Sequence, residues 1–259
     1  MDSKDIPTVH EWRKGLVVSP IRKVRCVVKH IHNHGSRVYT LTLSPEKEIP
    51  AFRPGQFLHL ALDDYDPSGF WPDSRPFSIA SSPTNGNLLK ISYSVIGKFT
   101  SRMEKELVEG NTVWIKLPYG AFVVDNTEKV VLIAGGTGIT AFSAYIEALK
   151  PESNQDVYLF YGARNEDLLI YKEMLSKVAR SAPHFHLQYS LESAPRQASS
   201  NGFMPVIGKL DINRIWQKIE KPMTAVYFLS GPPLMLSCFS NDLYSHGISP
   251  DQIRIDAWE

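Results

Sequence analysis

Residues 130–140 read Val-Val-Leu-Ile-Ala-Gly-Gly-Thr-Gly-Ile-Thr, an apolar run that ends in a cluster of glycines. A segment compatible with a helix follows over residues 140–149. This order of strand, glycine turn and helix suits a diphosphate, because glycines let the backbone approach a ligand and a helix N-terminus presents free N–H groups. The run lacks both the Lys-Ser/Thr ending of a P-loop and the full Gly-x-Gly-x-x-Gly spacing. A hydrolysed nucleoside triphosphate is therefore not expected, and an ordinary tight turn between strand and helix is the alternative.

The composition is that of an ordinary globular protein, and the length of 259 residues favours two domains. A net charge of +1 argues against nucleic-acid binding, which needs a concentrated basic face. No apolar run approaches the roughly 20 residues that span a membrane. Residues 1–7 lack the apolar core of a signal peptide. We therefore expect a cytoplasmic protein without an integral membrane segment.

The cysteines and histidines of the chain limit which metal sites it could form. The chain has two cysteines, Cys26 and Cys238, whereas a plant-type iron–sulfur cluster needs four thiolates, so no such cluster is expected in this chain. Cys238 falls on a predicted helix and is expected to be a buried apolar side chain. His30, His32 and His34 alternate at a turn without acidic or thiol ligands nearby, and we expect no metal site.

Two patterns divide the chain. Residues 1–20 show little periodicity and are interpreted as an N-terminal arm. Over residues 21–124, short strand-like runs with Pro-, Gly- and Asp-rich turns favour a small antiparallel barrel with one helix. Over residues 125–259, strands and helices alternate, which is typical of a doubly wound parallel sheet. Ligands of such sheets bind at the carboxyl ends of the strands.

The predicted elements are short and regularly spaced. In the barrel region, strands are predicted at 38–43, 57–62, 77–81, 88–95 and 112–117, with a helix at 99–107. After residue 125, strands are predicted at 130–134, 156–162, 184–191 and 225–230, and helices at 140–149, 167–179, 212–219 and 234–246.

Further motifs occur in a fixed order around the glycine turn. They are Arg-Pro-Phe-Ser at 75–78, Gly-Lys-Phe-Thr-Ser-Arg-Met at 97–103, Pro-Tyr-Gly-Ala-Phe at 118–122, Tyr-Gly-Ala-Arg at 161–164 and Ser-Gly-Pro-Pro-Leu-Met at 230–235. In this order and at these separations, the set resembles the ferredoxin–NAD(P)+ reductase superfamily. The resemblance covers roughly residues 21–259 and is greatest to small NAD(P)H:flavin reductases and to the reductase modules of oxygenases.

The resemblance implies an FAD-binding antiparallel β-barrel domain at 21–124 and an NAD(P)-binding α/β domain at 125–259. It implies an NAD(P)H-dependent flavin oxidoreductase that passes hydride to bound FAD, in preference to FMN, and then electrons to a separate acceptor such as a ferredoxin, a flavodoxin or an oxygenase. Because hydride moves directly, no general acid or base is required. Two alternatives are a free-flavin reductase and an electron-transfer subunit that is active only when docked to a partner enzyme.

The resemblance also implies flavin-binding residues on the strand that contains Pro76. Arg75 would pair with a flavin phosphate, which suits a guanidinium fork. Phe77 takes the position of the family's usual tyrosine and would lie against the isoalloxazine ring without that residue's hydroxyl. Ser78 would place its hydroxyl near flavin N5. The alternative is a strand with a solvated arginine and a core phenylalanine.

A second flavin motif opens the predicted barrel helix. Gly97, Lys98, Phe99 and Thr100 match the family's Gly-x-x-Ser/Thr, which begins a helix at the flavin diphosphate. Thr100 would supply the capping hydroxyl at that helix N-terminus. A plain capped helix is the alternative.

For the nicotinamide cofactor, the resemblance implies a set of residues at strand ends. The diphosphate would be bound by Gly135, Gly136, Thr137, Gly138 and Thr140, and further contacts would come from Gly162 and Arg164. Gly231 and Pro232 would pass close to the nicotinamide. Ser230 stands where the family often has cysteine, so a step that relies on that thiol would use a hydroxyl or nothing.

Two further residues bear on coenzyme choice and on the flavin face. Glu192 follows a predicted strand where NADP-using relatives commonly have Ser-Arg, and a carboxylate there would repel a 2′-phosphate. We therefore favour NADH over NADPH, although Arg196 could reverse this choice. Trp258 is the candidate for the terminal aromatic residue that relatives place on the flavin, and surface anchoring is the alternative. Ser78, Ser230 and Trp258 are the predicted catalytic residues.

Overall fold

The computed structural model describes residues 19–84, 88–124, 127–194 and 204–256. The chain divides into two compact units, Met1–Asp125 and Asn126–Glu259. Each unit has a hydrophobic core of its own. No helix in the described part of the chain is long and apolar enough to cross a membrane.

The first unit is an antiparallel barrel. Its described residues form six strands: β1 (Arg22–Asn33), β2 (Val38–Pro45), β3 (Phe57–Ala61), β4 (Ser74–Ser78), β5 (Leu89–Ser94) and β6 (Thr112–Tyr119). The strand order is β4-β3-β6-β1-β2-β5, and every neighbouring pair is antiparallel. The barrel nearly closes because Ala80 N, just after β4, donates to Lys90 O of β5 at 2.8 Å. Helix α1 (Lys98–Glu106) lies between β5 and β6 in sequence.

The barrel core follows from the alternation of side chains along each strand. On β1, Val24, Cys26 and Val28 are buried, whereas Lys23 and Arg25 are exposed. Burial also raises the pKa of the Cys26 thiol to about 12. This strand therefore contributes one face to the core and the other to solvent.

An irregularity in β1 places two of the three alternating histidines on the exposed side. The pairing of β1 with β2 shifts register between Val28 and His30, and both His30 and His32 are exposed. His30 Nδ1 lies 2.7 Å from Glu109 Oε1, so the sequence-based expectation of no acidic neighbour is wrong. Among the described residues, no group of three or more His, Cys, Asp or Glu side chains is placed to hold a metal ion.

The second unit is a parallel sheet with helices in its crossovers. Its described residues form six strands: β7 (Lys129–Gly135), β8 (Asp156–Ala163), β9 (Phe185–Leu191), β10 (Val206–Ile207), β11 (Val226–Ser230) and β12 (Ile253–Ile255). The helices are α2 (Thr140–Glu147), α3 (Lys172–Ser181), α4 (Ile212–Trp216) and α5 (Pro233–Ser245). The strand order is β10-β9-β8-β7-β11-β12, and all pairs are parallel. Strands β8, β9 and β10 are added in turn on one side of β7, whereas β11 and β12 are added on its other side. The strand order therefore reverses between β7 and β11, and such sheets bind ligands at this point.

The predicted fold class, a barrel followed by a doubly wound sheet, is confirmed, and several element boundaries differ. Strand β4 begins at Ser74 rather than at residue 77. The helix predicted over 167–179 is instead a 3₁₀ turn, Glu166–Leu168, followed by α3, because Tyr171 adopts a left-handed conformation with φ 61°. Strands β10 and β12 have only two and three residues and show no alternation that the sequence could reveal.

The expectation that Cys238 is buried is wrong. Cys238 is exposed on α5, whereas Phe239 and Leu243 of the same helix are buried. Residues four apart lie on one face of a helix. The core-facing side of α5 therefore runs through Phe239 and Leu243 and leaves the thiol outside.

Candidate functional site

Two sequence motifs of the barrel meet at the beginning of α1. Arg75 and Phe77 are two residues apart on β4 and therefore point to the same side. The Arg75 Cζ atom lies 5.3 Å from the centre of the Phe99 ring, and the Phe77 ring centre lies 6.5 Å from it. The structure thus brings the Arg-Pro-Phe-Ser strand to the first turn of the helix that begins after Gly97.

Phe77 belongs mainly to the barrel core. Its side chain is 8% exposed, and its ring lies 6.1 Å from that of Tyr93. The neighbouring Ser78 is also buried and pairs with Phe57 across β3, while Pro76 is half-buried. The proposed contact of Phe77 with an isoalloxazine ring and that of Ser78 with flavin N5 therefore stay predictions.

The N-terminus of α1 is arranged so that backbone donors are available. Thr100 Oγ1 accepts hydrogen bonds from Ile96 N (3.0 Å) and Gly97 N (3.1 Å) and donates to Gly97 O (3.2 Å). The predicted capping hydroxyl therefore accepts from the backbone N–H groups of Ile96 and Gly97, which precede the helix, and not from those of its first turn. Gly97 has no side chain to cover that turn, and a Cβ atom added there would meet nothing within 4 Å.

These features fit an anionic group such as a flavin phosphate. The first turn contains no acidic residue, and Lys98 within it is exposed. The Arg75 guanidinium lies over the ring of Phe99 in the same turn. A helix N-terminus and a guanidinium together supply N–H donors and positive charge.

In the second unit, the glycine turn packs directly against the end of β11. A Cβ atom on Gly138 would lie 2.3 Å from Ser230 O, so no larger residue fits there without movement of the backbone. Gly136 has φ +54°, and a Cβ atom there would meet nothing within 4 Å. Thr140 is buried, and its hydroxyl donates to Thr137 O at 2.6 Å. The turn is therefore tight on its inner side and open at Gly136.

The neighbouring strand ends bring together the remaining predicted nucleotide residues. Gly162 of β8 pairs with Gly135 of β7. Arg164 and Glu192 follow β8 and β9, and both are exposed. Glu192 N donates to Ala163 O at 3.1 Å, which joins these two strand ends. Arg196 lies outside the described residues.

A buried hydrogen bond lies at the carboxyl end of β11, immediately before Gly231 and Pro232. The Ser230 hydroxyl donates to Asp256 Oδ2 at 2.8 Å, and the two residues are 2% and 7% exposed. Burial raises the pKa of the Asp256 carboxyl to about 6, although the hydrogen bond from Ser230 opposes the rise. Asp256 N also donates to Leu229 O at 2.9 Å.

Sequence reasoning missed Asp256. Its position depends on the short strand β12 pairing beside β11, a pairing that no local pattern announces. The available signal was its place two residues before Trp258 in the C-terminal stretch. Trp258 itself lies outside the described residues.

Comparison with known proteins supports the same superfamily as the sequence motifs. Residues 132–241 match the family model described as an oxidoreductase NAD-binding domain. The chain is 31% identical over 182 residues to an NAD(P)H-flavin reductase of Vibrio harveyi. The aligned region covers 66% of this chain and 73% of that protein. The chain belongs to the ferredoxin–NAD(P)+ reductase superfamily.

Two further similarities extend over most of this reductase. It is 27% identical over 203 residues to the electron transfer component of anthranilate 1,2-dioxygenase from Acinetobacter baylyi, covering 76% of this chain and 55% of that protein. The crystal structure of the Amycolatopsis cytochrome P450 reductase GcoB has a TM-score of 0.78 at 21% identity, covering 93% of this chain and 71% of that one. The predicted enzyme class, an NAD(P)H-dependent flavin oxidoreductase, is confirmed.

Proposed function

We propose that this reductase takes hydride from NADH onto FAD and then passes electrons to a separate acceptor. The observation that carries the proposal is the meeting of Arg75 with the first turn of α1, beside the open position at Gly97. When bound, the flavin supplies the chemistry of hydride acceptance and onward electron release. The chain's own residues bind and orient the cofactors.

On the barrel, Arg75, Lys98 and the N–H groups of the first turn of α1 would bind the flavin phosphates. We propose FAD in preference to FMN, because a guanidinium together with a helix N-terminus offers donors for two phosphate groups. Ser78 would direct its hydroxyl to flavin N5, and Phe77 would contact the ring with the small part of its surface that is not in the core.

On the parallel sheet, the glycine turn around Gly136 would bind the diphosphate of the nicotinamide cofactor. Glu192 supports NADH over NADPH, because its carboxylate would repel a 2′-phosphate and accept a ribose hydroxyl. The Ser230 hydroxyl uses its proton in the hydrogen bond to Asp256. Ser230 Oγ is therefore left as a hydrogen-bond acceptor beside Gly231. We propose Ser230 as a contact of the nicotinamide and Asp256 as its positioning residue. Trp258 stays the proposed aromatic residue of the flavin face.

The acceptor defines a second candidate function. A free-flavin reductase is favoured by the 31% identity to a protein named NAD(P)H-flavin reductase, and also by the exposure of Arg75. We propose a cytoplasmic location and, as partner, either a redox acceptor protein or a free flavin. Two cysteines are too few for the four thiolates of a plant-type iron–sulfur cluster within these 259 residues.

An anaerobic stopped-flow experiment tests the proposal. Flavin-loaded protein is mixed with NADH and, separately, with NADPH, and the flavin absorbance band is followed. Rapid bleaching with NADH and slower bleaching with NADPH is the expected result, and bleaching with neither would refute the enzymatic proposal. A yellow protein after purification would support bound FAD, whereas a colourless protein that is active only with added flavin would support the free-flavin reductase.

A further inference from the structure

We propose that Asp73 is a specificity-determining residue that weakens the binding of phosphate-bearing flavins by competing for Arg75. The inference rests on the proposed flavin site. It makes the strength of flavin binding depend on an acidic residue outside both flavin motifs.

The two side chains form a direct ion pair. Arg75 Nη1 donates to Asp73 Oδ1 at 2.5 Å and to Ser74 O at 2.7 Å. The Arg75 and Asp73 side chains are 51% and 60% exposed, so a ligand phosphate has access to both. The same guanidinium lies over Phe99 of the first turn of α1, so the Asp73 carboxylate pairs with the side chain that reaches that turn.

The segment that contains Asp73 is held in place on both sides. Trp71 Nε1 donates to Ser74 Oγ at 2.9 Å, which joins the residues that flank Asp73. The Trp71 ring packs on Tyr65 with a centre-to-centre distance of 5.3 Å, and Tyr65 packs on Trp114 of β6 at the same distance. Asp73 is thus presented to Arg75 from a packed segment.

A carboxylate and a phosphate compete for the same N–H donors of a guanidinium. Both accept hydrogen bonds from its fork of N–H donors. A flavin phosphate that binds Arg75 must displace the Asp73 carboxylate from Nη1 or remain near it as a second negative charge. Either way, binding of a phosphate at Arg75 loses free energy that a flavin without phosphate does not lose.

The test compares Asp73→Asn with the unaltered protein, using riboflavin, FMN and FAD as probes in fluorescence titrations at low ionic strength. Asparagine keeps the shape of the side chain and removes its charge. We expect the dissociation constants of FMN and FAD to fall by about two- to fivefold, the range that exposed ion pairs support, and that of riboflavin to stay unchanged. The matched control is Asp66→Asn, which removes the same charge from the same loop, where the carboxylate accepts from Ser68 N and Oγ.

Several outcomes would overturn the inference. Weaker FMN binding in Asp73→Asn would make Asp73 a residue that orients Arg75 for the ligand. Equal changes for all three flavins, or an equal gain in Asp66→Asn, would remove the link to the phosphate at Arg75.

Arg75→Ala separates this inference from the proposed function. If Arg75→Ala weakens FMN binding and Asp73→Asn leaves it unchanged, only the role of Asp73 fails. If Arg75→Ala leaves FMN binding unchanged, the proposed flavin site itself fails.

Discussion

The glycine turn after β7 and the first turn of α1 both present backbone N–H groups, but they are built differently. In the glycine turn, a Cβ atom on Gly138 would lie 2.3 Å from Ser230 O of β11. At α1, a Cβ atom on Gly97 would meet nothing within 4 Å, and Arg75 on strand β4 supplies the positive charge. The nucleotide region depends on backbone packing, whereas the flavin region depends on a side chain placed by the barrel.

This difference determines how each region responds to substitution. A region built from packed backbone requires glycine at defined positions, so its motif stands out in a sequence. A region built from side chains uses residues that serve other purposes elsewhere, so its motif is ambiguous by itself. Four experiments test the contrast.

The largest effect is expected for Gly138→Ala. The added methyl group would overlap the backbone of Ser230, so the end of β11 must move, and we expect a loss of about 3 kcal/mol in the free energy of unfolding. Chemical denaturation measures it. Gly97→Ala is the matched control, with an expected cost of about 0.5–1 kcal/mol, because alanine is a poorer N-cap residue than glycine. Equal losses in the two variants would contradict the proposed contrast.

The buried carboxyl of Asp256 is expected to make the stability of the second unit depend on pH. Because its folded pKa is about 6 and its ordinary value is 3.8, the folded protein retains a proton that the unfolded chain has released. Stability therefore falls as pH rises from about 4 to 6, by on the order of 3 kcal/mol. Asp256→Asn lacks this loss, so its stability relative to the unaltered protein should rise over that interval in denaturation experiments.

Asp251 provides a control of opposite sign for this pH dependence. The hydrogen bond from Ser249 lowers the pKa of the Asp251 carboxyl, so its contribution to stability is present above the unfolded pKa and is lost as pH falls. Asp251→Asn should therefore lose stability relative to the unaltered protein as pH rises toward about 4, and the difference should stay constant at higher pH. A relative stability of Asp256→Asn that is constant from pH 4 to 7 would contradict the proposed burial effect.

Arg75→Ala should affect ligand binding and leave the fold largely intact. Removing a charged donor is expected to weaken FMN and FAD binding by about tenfold, because hydrogen bonds to charged groups contribute about 1.5 kcal/mol or more. Fluorescence titration measures it. The control is Arg102→Ala on α1, whose guanidinium pairs with Asp63 and Glu106. A similar loss in both variants would show that helix anchoring, and not a phosphate contact, explains the result.

The smallest effect is expected for coenzyme choice. Glu192→Gln removes the exposed carboxylate after β9 and should raise the ratio of kcat/KM for NADPH to that for NADH by about two- to fivefold. Steady-state kinetics with both coenzymes measure the ratio. Glu173→Gln, an exposed position on α3, is the control. A ratio that does not change in Glu192→Gln would assign coenzyme choice to other residues.

Predictability from sequence differed between the two regions. The glycine turn and its flanking strand were found where predicted, because the apolar run and the glycines are neighbours in the chain. Helix α3 begins at Lys172 rather than at residue 167, because Tyr171 adopts a left-handed conformation. No residue type near Tyr171 signals that conformation. Cys238 was assigned to the wrong face of α5 because a single position on a helix does not reveal which side meets the core.

The sequence by itself determined the order of a barrel and a parallel sheet, the glycine turn and the superfamily, because periodicity, glycine clusters and motif order are properties of chain order. Only the tertiary structure decided that Arg75 lies over Phe99 and pairs with Asp73, and that Ser230 donates to Asp256. These pairings depend on strand register and on which strands become neighbours. Both are set by packing between segments far apart in the chain.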